Sequence, residues 1–171
     1  MTQALVWDAS ALHHAIAADR VDVMGDLASP WRNVSTAAVR AELRRNGLNL
    51  TADWIEIVHV DELDELRALF SWAQALDAGP RDIGEATVCA WTEIHGGIPL
   101  IDDRNAKRTA IANGLDAHGT LWLFVEAVHA GRITLNGASG LVSTLIEHGA
   151  RYPAKIKAEG FAAWARAQKL V

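Results

Sequence analysis

One pattern occurs twice in the chain, in Ala4-Leu5-Val6-Trp7-Asp8 and in Ile98-Pro99-Leu100-Ile101-Asp102. Each stretch is a short apolar run, which predicts a buried strand, and each ends directly in a carboxylate. Parallel strands of an open α/β sheet end at the same edge, where such sheets place their ligands. We therefore expect Asp8 and at least one member of the Asp102-Asp103 pair to face one crevice.

Short apolar runs alternate with longer helical segments on either side of these stretches, which is typical of βαβ units. Trp54 to Val60 predicts a further strand, and Leu115–Ala117 predicts a brief one. Helices are predicted over residues 10–18, 21–27, from Ser35-Thr36 to about 46, 61–76, from Gly79-Pro80 to about 95, 105–112, 120–130, 139–148 and 154–168. The expected product is a mainly parallel sheet with helices on both faces.

The helix predicted over 61–76 carries one apolar stripe, formed by Leu63, Leu66, Leu69, Phe70 and Ala73. Such spacing is typical of an amphipathic helix. We expect one domain over residues 1–171, which is long enough for a real core, with C-terminal helices at about 139–171.

Composition places the chain among ordinary globular proteins, since half of its residues are hydrophobic and 22% are charged. No apolar stretch approaches the roughly 20 residues of a membrane-spanning helix, and the N-terminus does not read as a signal peptide. The single cysteine, Cys89, cannot form an internal disulfide and reads as a small buried hydrophobe. These features predict a cytoplasmic protein that has no membrane segment.

The net charge of −5 is unevenly distributed. Residues 1–150 carry 11 basic and 20 acidic residues, whereas residues 151–171 carry five basic residues and one acid. An acidic body with a basic tail argues against a general nucleic-acid coat protein. It is compatible with a nuclease whose acids bind metal, and a solvated helix face explains the tail equally well.

Two further acids join Asp8 and the Asp102-Asp103 pair. Glu42 borders the apolar stripe of its helix, and a solvated side chain paired with Arg45 is the alternative. Glu85 falls in the first turn or two of a helix, where the positive end of the dipole stabilises an anion. Asp82 could fill the same role or cap the helix.

Acids gathered in one place repel one another, so a cluster needs a compensating charge. Carboxylate oxygens are the ligands that Mg²⁺ and Mn²⁺ prefer, and the chemistry this suggests is metal-assisted cleavage of a phosphodiester. Each acid also has a simpler interpretation: Asp8 and one of the Asp102-Asp103 pair could be helix N-caps. The sequence leaves open which member of the pair points into the crevice.

The acids lie within Val6-Trp7-Asp8-Ala9-Ser10-Ala11-Leu12, Val39-Arg40-Ala41-Glu42-Leu43, Gly84-Glu85-Ala86-Thr87 and Leu100-Ile101-Asp102-Asp103-Arg104-Asn105-Ala106-Lys107-Arg108-Thr109-Ala110, which runs on to Gly114-Leu115 and Gly119-Thr120-Leu121. With these segments the chain resembles a PIN-domain ribonuclease over nearly its whole length. The last segment is similar to the subgroup of VapC-type toxins that has a Gly-Glu-Ala third motif and an Asp-Asp or Asp-Glu fourth motif. Two features depart from the broad family: the third acid is Glu where Asp is commoner, and the fourth is doubled.

The resemblance implies a three-layer α/β/α sandwich and an acidic pocket that binds Mg²⁺ or Mn²⁺. By position, the catalytic and metal-binding acids are Asp8, Glu42, Glu85, Asp102 and Asp103. It also implies endonuclease action on RNA, as in the toxins of type II toxin–antitoxin pairs. We accordingly expect an RNA substrate, a small antitoxin as a candidate partner, and a homodimer.

Several residues beside the acids are candidate substrate contacts. Ser10 either caps its helix or contacts a metal-bound water, and Thr120 either caps a helix or hydrogen-bonds a carboxylate or a phosphate. The cations that could hold the substrate backbone are Arg104, Lys107 and Arg108 beside the acidic pair, and Arg40 and Arg44 beside Glu42. Solvated helix faces explain both groups of cations almost as well.

Two other functions compete with the nuclease. One is a catalytically silent PIN-like module that binds nucleic acid or protein. The other is an α/β phosphatase of the Asp-x-Asp type, which the sequence Asp8-Ala9-Ser10 argues against. The seven histidines show no His-Glu-x-x-His spacing, so a zinc site of that kind is not expected.

Overall fold

A four-stranded, all-parallel sheet forms the centre of the fold in this computed structural model, which describes residues 2–80 and 83–171. The strands are β1 (Ala4–Trp7), β2 (Arg32–Thr36), β3 (Glu56–Val58) and β4 (Ile98–Leu100), in the sheet order β3-β2-β1-β4. Helices flank this sheet, so the fold is the three-layer α/β/α sandwich that the sequence predicted.

Ten helices are assigned within the described residues. They are α1 (Ala9–Ala17), α2 (Val21–Ala28), α3 (Ala37–Arg45), α4 (Leu63–Ala75), α5 (Gly84–His95), α6 (Arg104–Ala112), α7 (Thr120–His129), α8 (Leu135–Glu147), α9 (Ala154–Glu159) and α10 (Phe161–Ala167). Among these helices, α4 packs against α5, α10 packs against α8 and α9, and α3 packs against α5.

Strand β1 lies at the point where the direction of strand addition reverses. It pairs with β2 on one side and with β4 on the other, while β3 continues outward from β2. The carboxyl ends of β1 and β4 therefore border the crevice in which open α/β sheets bind ligands. The amide of Asp8 donates to the carbonyl of Leu100 at 3.1 Å and holds these two ends together.

The sequence did not predict β2, because four of its five residues are polar. Each buried polar side chain of β2 is nevertheless hydrogen-bonded. The carboxamide oxygen of Asn33 accepts from the indole of Trp7 at 2.9 Å, Ser35 donates to the carbonyl of Trp7 at 2.8 Å, and Thr36 pairs with Thr87 at 2.7 Å. Satisfied hydrogen bonds remove the cost of burial, so a polar segment can occupy the middle of the sheet.

Three predictions from the sequence were wrong in detail. No strand forms at Leu115–Ala117; instead, a single bridge joins Leu100 to His118. The helix predicted over 154–168 divides into α9 and α10 at Gly160, whose φ of 85° does not fit a helix. The apolar stripe of α4 is not its buried face, since Leu63 and Phe70 are 64% and 68% exposed.

The face that α4 buries consists of Glu65, Ala68 and Trp72. The stripe gave the wrong buried face because α4 carries two groups of apolar residues. The packing of α4 against α5 buries the group that includes Trp72. Among the described helices, none combines the length and the apolar character that crossing a membrane requires.

Candidate active site

A cleft of about 540 Å³ lies at the carboxyl ends of β1 and β4. All five acids that the sequence selected line it: Asp8, Glu42, Glu85, Asp102 and Asp103. We call this cavity the acidic cleft. The structure thus brings together side chains that are spread over more than ninety positions of sequence.

The two carboxylate oxygens of Asp8 have different surroundings. Its Oδ2 caps α1, accepting from the amide of Ser10 at 2.9 Å and from the Ser10 hydroxyl. Its Oδ1 is buried and has no hydrogen-bond partner among the described residues. Burial raises the pKa of Asp8 above its ordinary value against the hydrogen bonds of Ser10, and the charge of Asp102 raises it further. The capping role is therefore real, but it occupies only one oxygen.

Ser10 connects the ends of β1 and β4. Its hydroxyl donates to Asp8 and accepts from the amides of Asp102 and Asp103, at 3.0 and 3.3 Å. Ser10 is not the cap of α1, since Asp8 fills that position. The hydroxyl fixes the spacing between the Asp8 carboxylate and the backbone of the acidic pair.

Asp102 is held from behind by Thr120. The amide of Thr120 donates to Asp102 Oδ1 and its hydroxyl donates to Oδ2, both at 2.7 Å. Burial raises the pKa of Asp102 even though the bonds from Thr120 and the charge of Lys107 lower it. Gly119, rather than Thr120, caps α7. Thr120 is only 1% exposed, and it binds a carboxylate, which is one of the two roles that the sequence offered for it.

Tyr152 extends this chain of hydrogen bonds. Its hydroxyl lies 2.7 Å from the hydroxyl of Thr120. Burial and the nearby Asp102 raise the pKa of Tyr152, so the phenol keeps its proton. Because the proton of Thr120 points to Asp102, the phenol is the donor in its bond with Thr120.

Asp103 has the helix-capping role that the sequence predicted for one member of the Asp102-Asp103 pair. It caps α6, with its Oδ1 accepting from the amide of Ala106 at 2.8 Å, and it is exposed at the rim of the acidic cleft. Asp102 is the member whose charge acts on Asp8.

Glu42 and Glu85 also line the acidic cleft, and both are half-buried. Glu85 falls in the first turn of α5, where the helix dipole stabilises an anion. The Glu42 carboxylate lies directly against Gly84, so a side chain at position 84 would displace it. Glycine in the Gly84-Glu85-Ala86 motif therefore leaves room for this carboxylate beside the first turn of α5. Asp82, the alternative to Glu85, lies outside the described residues.

The candidate cations divide into two groups. Arg104 lines the acidic cleft, and Lys107 is close enough to lower the pKa of Asp102. Arg108 is exposed and bonds to Asn105 within α6, and it is not part of the cleft wall. Arg40 and Arg44, which flank Glu42, do not line the cleft either.

Among the wall residues that the sequence did not select, four have titratable side chains: His13, His14, Arg151 and Tyr152. Arg151 and Tyr152 come from the segment between α8 and α9, which crosses to α1 where His14 bonds to the carbonyl of His148 at 3.0 Å. Burial lowers the pKa of His13, and the neighbouring His14 adds to this. No local signal marks these residues, since only long-range packing brings them to the acids.

Cys89 lies behind the cleft and is fully buried. Burial raises its pKa, and the charges of Asp8 and Glu85 add to this, so the thiol stays protonated. A protonated, enclosed thiol is a poor nucleophile, which agrees with its interpretation as a small hydrophobe.

The donor chemistry of the acidic cleft fits a hard divalent cation, because its walls supply carboxylate oxygens and no described residue hydrogen-bonds Asp8 Oδ1. The side chains do not form a finished cage. Within residues 2–80 and 83–171, no three carboxylate, imidazole or thiol groups converge closely enough to hold a metal ion. The fit therefore lies in the kind of donors and in the buried unpaired oxygen.

A family model described as DUF3368, a PIN domain, matches residues 4–164 of the chain. The match includes every strand, all five acids and most of the C-terminal helices. Comparison with curated proteins gave no match, and comparison with solved structures gave none.

Proposed function

The chain belongs to the PIN-domain family, and on that premise we propose that it is an endoribonuclease that depends on Mg²⁺ or Mn²⁺. PIN domains are generally nucleases and typically use divalent metal ions. The observation that carries the proposal is the acidic cleft, which five acids line and where one buried carboxylate oxygen has no partner among the described residues. A cleft of this kind is suited to a polyanionic substrate only when a cation is present.

The residues that would hold the metal are Asp8, Glu42, Glu85 and Asp102, with Asp103 at the rim. A bound divalent ion lowers the pKa of a water nucleophile and stabilises charge on the phosphate. Ser10 and Thr120 orient the two aspartates through the hydrogen bonds described above. Arg104, beside the acids on the wall of the cleft, is placed to bind a phosphate oxygen.

The electrostatics of the two aspartates support this proposal. Burial raises the pKa of both Asp8 and Asp102, so their anionic forms lack sufficient compensation within the protein. A cation favours the ionised form of nearby carboxylates. Metal binding would therefore stabilise the two carboxylate charges that burial destabilises.

The direct test uses the purified full chain with end-labelled single-stranded RNA and DNA of the same sequence, in Mg²⁺, Mn²⁺ or EDTA. We expect internal cleavage of the RNA in either metal and none in EDTA. Asp53→Asn removes an exposed acid outside the cleft and serves as the matched control for substitutions of Asp8. Intact RNA in both metals would contradict the proposal, and cleavage of DNA alone would reassign the substrate.

A second candidate is a catalytically silent PIN-like module that binds nucleic acid or protein. It is favoured by one observation, that no three potential ligands converge among the described residues. Titration calorimetry separates the two candidates, because the nuclease must bind Mg²⁺ or Mn²⁺ and lose that binding in Asp8→Asn. A silent module binds neither ion but retains its macromolecular ligand.

We also propose a more specific role, in which the chain is the toxin of a toxin–antitoxin pair, has a small antitoxin as its partner and forms a homodimer. An accessible cleft lined by acids attracts an Arg side chain, which is one way for a partner to block it. Expression of the chain alone in a bacterium should arrest growth, and Asp8→Asn should not. Relief by the product of the neighbouring gene would support a toxin–antitoxin pair, whereas unaffected growth would leave a housekeeping nuclease.

A further inference from the structure

A second cavity, of about 490 Å³, adjoins the acidic cleft. The two cavities share Arg104 and residues 149–152 as a common wall. The second cavity is completed by Ile146, Ala154 and Lys157, and none of the described residues that line it carries a carboxylate. The sign of the wall charge therefore changes between two adjoining cavities. We call the second cavity the basic groove and define it by Arg104, Arg151 and Lys157.

The three cations of the basic groove are exposed. None of them forms an ion pair with an acid in the part of the chain that the structure describes. An exposed cation without an acidic partner retains its full attraction for an external anion. Three such cations around one concave surface form a binding site for a ligand with several negative charges.

The groove also accounts for the uneven charge of the sequence. Arg151 and Lys157 belong to the basic segment 151–171 of a chain that is otherwise strongly acidic. Lys155, Arg166 and Lys169 belong to the same segment but do not line the groove. The basic tail is therefore more than a solvated helix face, because two of its five cations lie on the cavity beside the acids.

We propose that the basic groove binds the phosphodiester backbone of a nucleic-acid strand, on one side of the phosphate that reaches the acidic cleft. The inference rests on the proposed nuclease function for the choice of ligand. A polyanion approaching the acidic body is repelled, so binding requires a local path of positive charge. The shared wall supplies the reason for a nucleic acid, since one continuous strand can contact the groove and the acids together.

The test measures binding without cleavage, by fluorescence anisotropy of a short labelled single-stranded RNA with the full chain in EDTA. The double variant Arg151→Gln/Lys157→Gln removes two groove cations. The matched control, Lys155→Gln/Arg166→Gln, removes the same charge from the same segment outside the groove. We expect about tenfold weaker binding for the groove variant, with a salt slope lower by about 0.7 for each lost contact. The control should change Kd by less than about twofold.

Three results would overturn the inference: no binding of the RNA by the unmodified chain, equal weakening in both double variants, or tighter binding of an acidic peptide through the same two cations. The melting temperature of each variant verifies that it is folded. Failure of the nuclease proposal is distinguishable, because binding that depends on the groove without cleavage in metal supports the groove alone. Cleavage with an unchanged KM in the groove variant supports the nuclease alone.

Discussion

Asp8 and Glu65 are both buried carboxylates, 1% and 3% exposed, but the two regions treat them in opposite ways. At the start of α4, Glu65 accepts from the amides of Asp61 and Glu62, each at 2.9 Å, and from His95 at 2.6 Å. These bonds outweigh burial and hold the pKa of Glu65 below its ordinary value. At the end of β1, Asp8 has one oxygen without a partner in the part of the chain that the structure describes, and burial raises its pKa.

The ionised Glu65 therefore stabilises the fold, whereas the ionised Asp8 destabilises it. Glu65 is hydrogen-bonded through both oxygens, caps the start of α4 and joins α4 to α5. A buried group with an unpaired oxygen costs free energy, and such exceptions concentrate at functional sites. The comparison supports the proposal that the cleft is the functional site, and it gives the α4–α5 contact a stabilising role.

The largest expected effect is that of Asp8→Asn on cleavage. The substitution removes the charge but keeps a good cap for α1. Because even outer residues of metal sites contribute 10–100-fold, we expect a loss of about 100-fold or more in the rate of RNA cleavage. In metal-free buffer the melting temperature should rise, by about 2–4 °C for each kcal/mol gained.

Both halves of this prediction must hold for the comparison to stand. Asp53→Asn, measured alongside, should leave the cleavage rate and the melting temperature unchanged. A fall in the melting temperature of Asp8→Asn would show that Asp8 supports the fold as Glu65 does. Undiminished cleavage would refute its assignment to the active site.

Glu65→Gln should have the opposite profile. The amide has a single acceptor oxygen, so either the capping box at the start of α4 or the acceptor for His95 is lost. Loss of such buried bonds costs about 1–3 kcal/mol, which urea unfolding measures directly. Cleavage by the folded fraction should remain at the level of the unmodified chain. A stable but inactive variant would contradict the division between the two regions.

The pH dependence of stability tests the opposite pKa shifts. Glu65 has a lowered pKa, so its contribution is present above the ordinary carboxyl pKa of about 4.3 and is lost as the pH falls through the lower folded-state value. Asp8 has a raised pKa, so its penalty is present above the folded-state value and disappears as the pH falls towards about 3.9. Urea unfolding in metal-free buffer from pH 7 to pH 3 should show the deficit of Glu65→Gln and the advantage of Asp8→Asn both shrinking. A constant difference for either variant would contradict its shift.

The sequence predicted one of these two regions much better than the other. Asp8 and Asp102 follow apolar strands, and parallel strands bring their ends together, so local pattern and topology sufficed. Two of the bonds of Glu65 are local, to the amides of Asp61 and Glu62, but its contact with His95 is thirty residues away in α5 and gave no local signal. The apolar stripe of α4 was equally uninformative, since packing against α5 selected the face with Trp72.

The same limit explains the missed wall of the acidic cleft. Strand β2 escaped prediction because its polar side chains are satisfied by partners that the sequence does not place beside them. Arg151 and Tyr152 reach the acids only through the path of the chain between α8 and α9. Acids at strand ends can be found from the sequence, whereas residues brought in by distant segments require the fold.

The smallest expected effect belongs to Asp102, which is intermediate between Asp8 and Glu65. Both of its oxygens are paired with Thr120, but its pKa is still raised by burial. Tyr152→Phe removes the donor behind Thr120 at a net cost of about 0.5–1.5 kcal/mol. If Tyr152 positions Asp102 for metal, the Mg²⁺ concentration for half-maximal cleavage should rise about 2–10-fold, together with a fall in melting temperature of about 1–6 °C that corresponds to this cost. Thr120→Ser, which keeps the hydroxyl, should have the Mg²⁺ dependence of the unmodified chain. Thr120→Val, which lacks the hydroxyl, should need more Mg²⁺. A lower melting temperature with unchanged Mg²⁺ dependence in Tyr152→Phe would make the phenol a packing residue and leave Asp102 positioned by Thr120 alone.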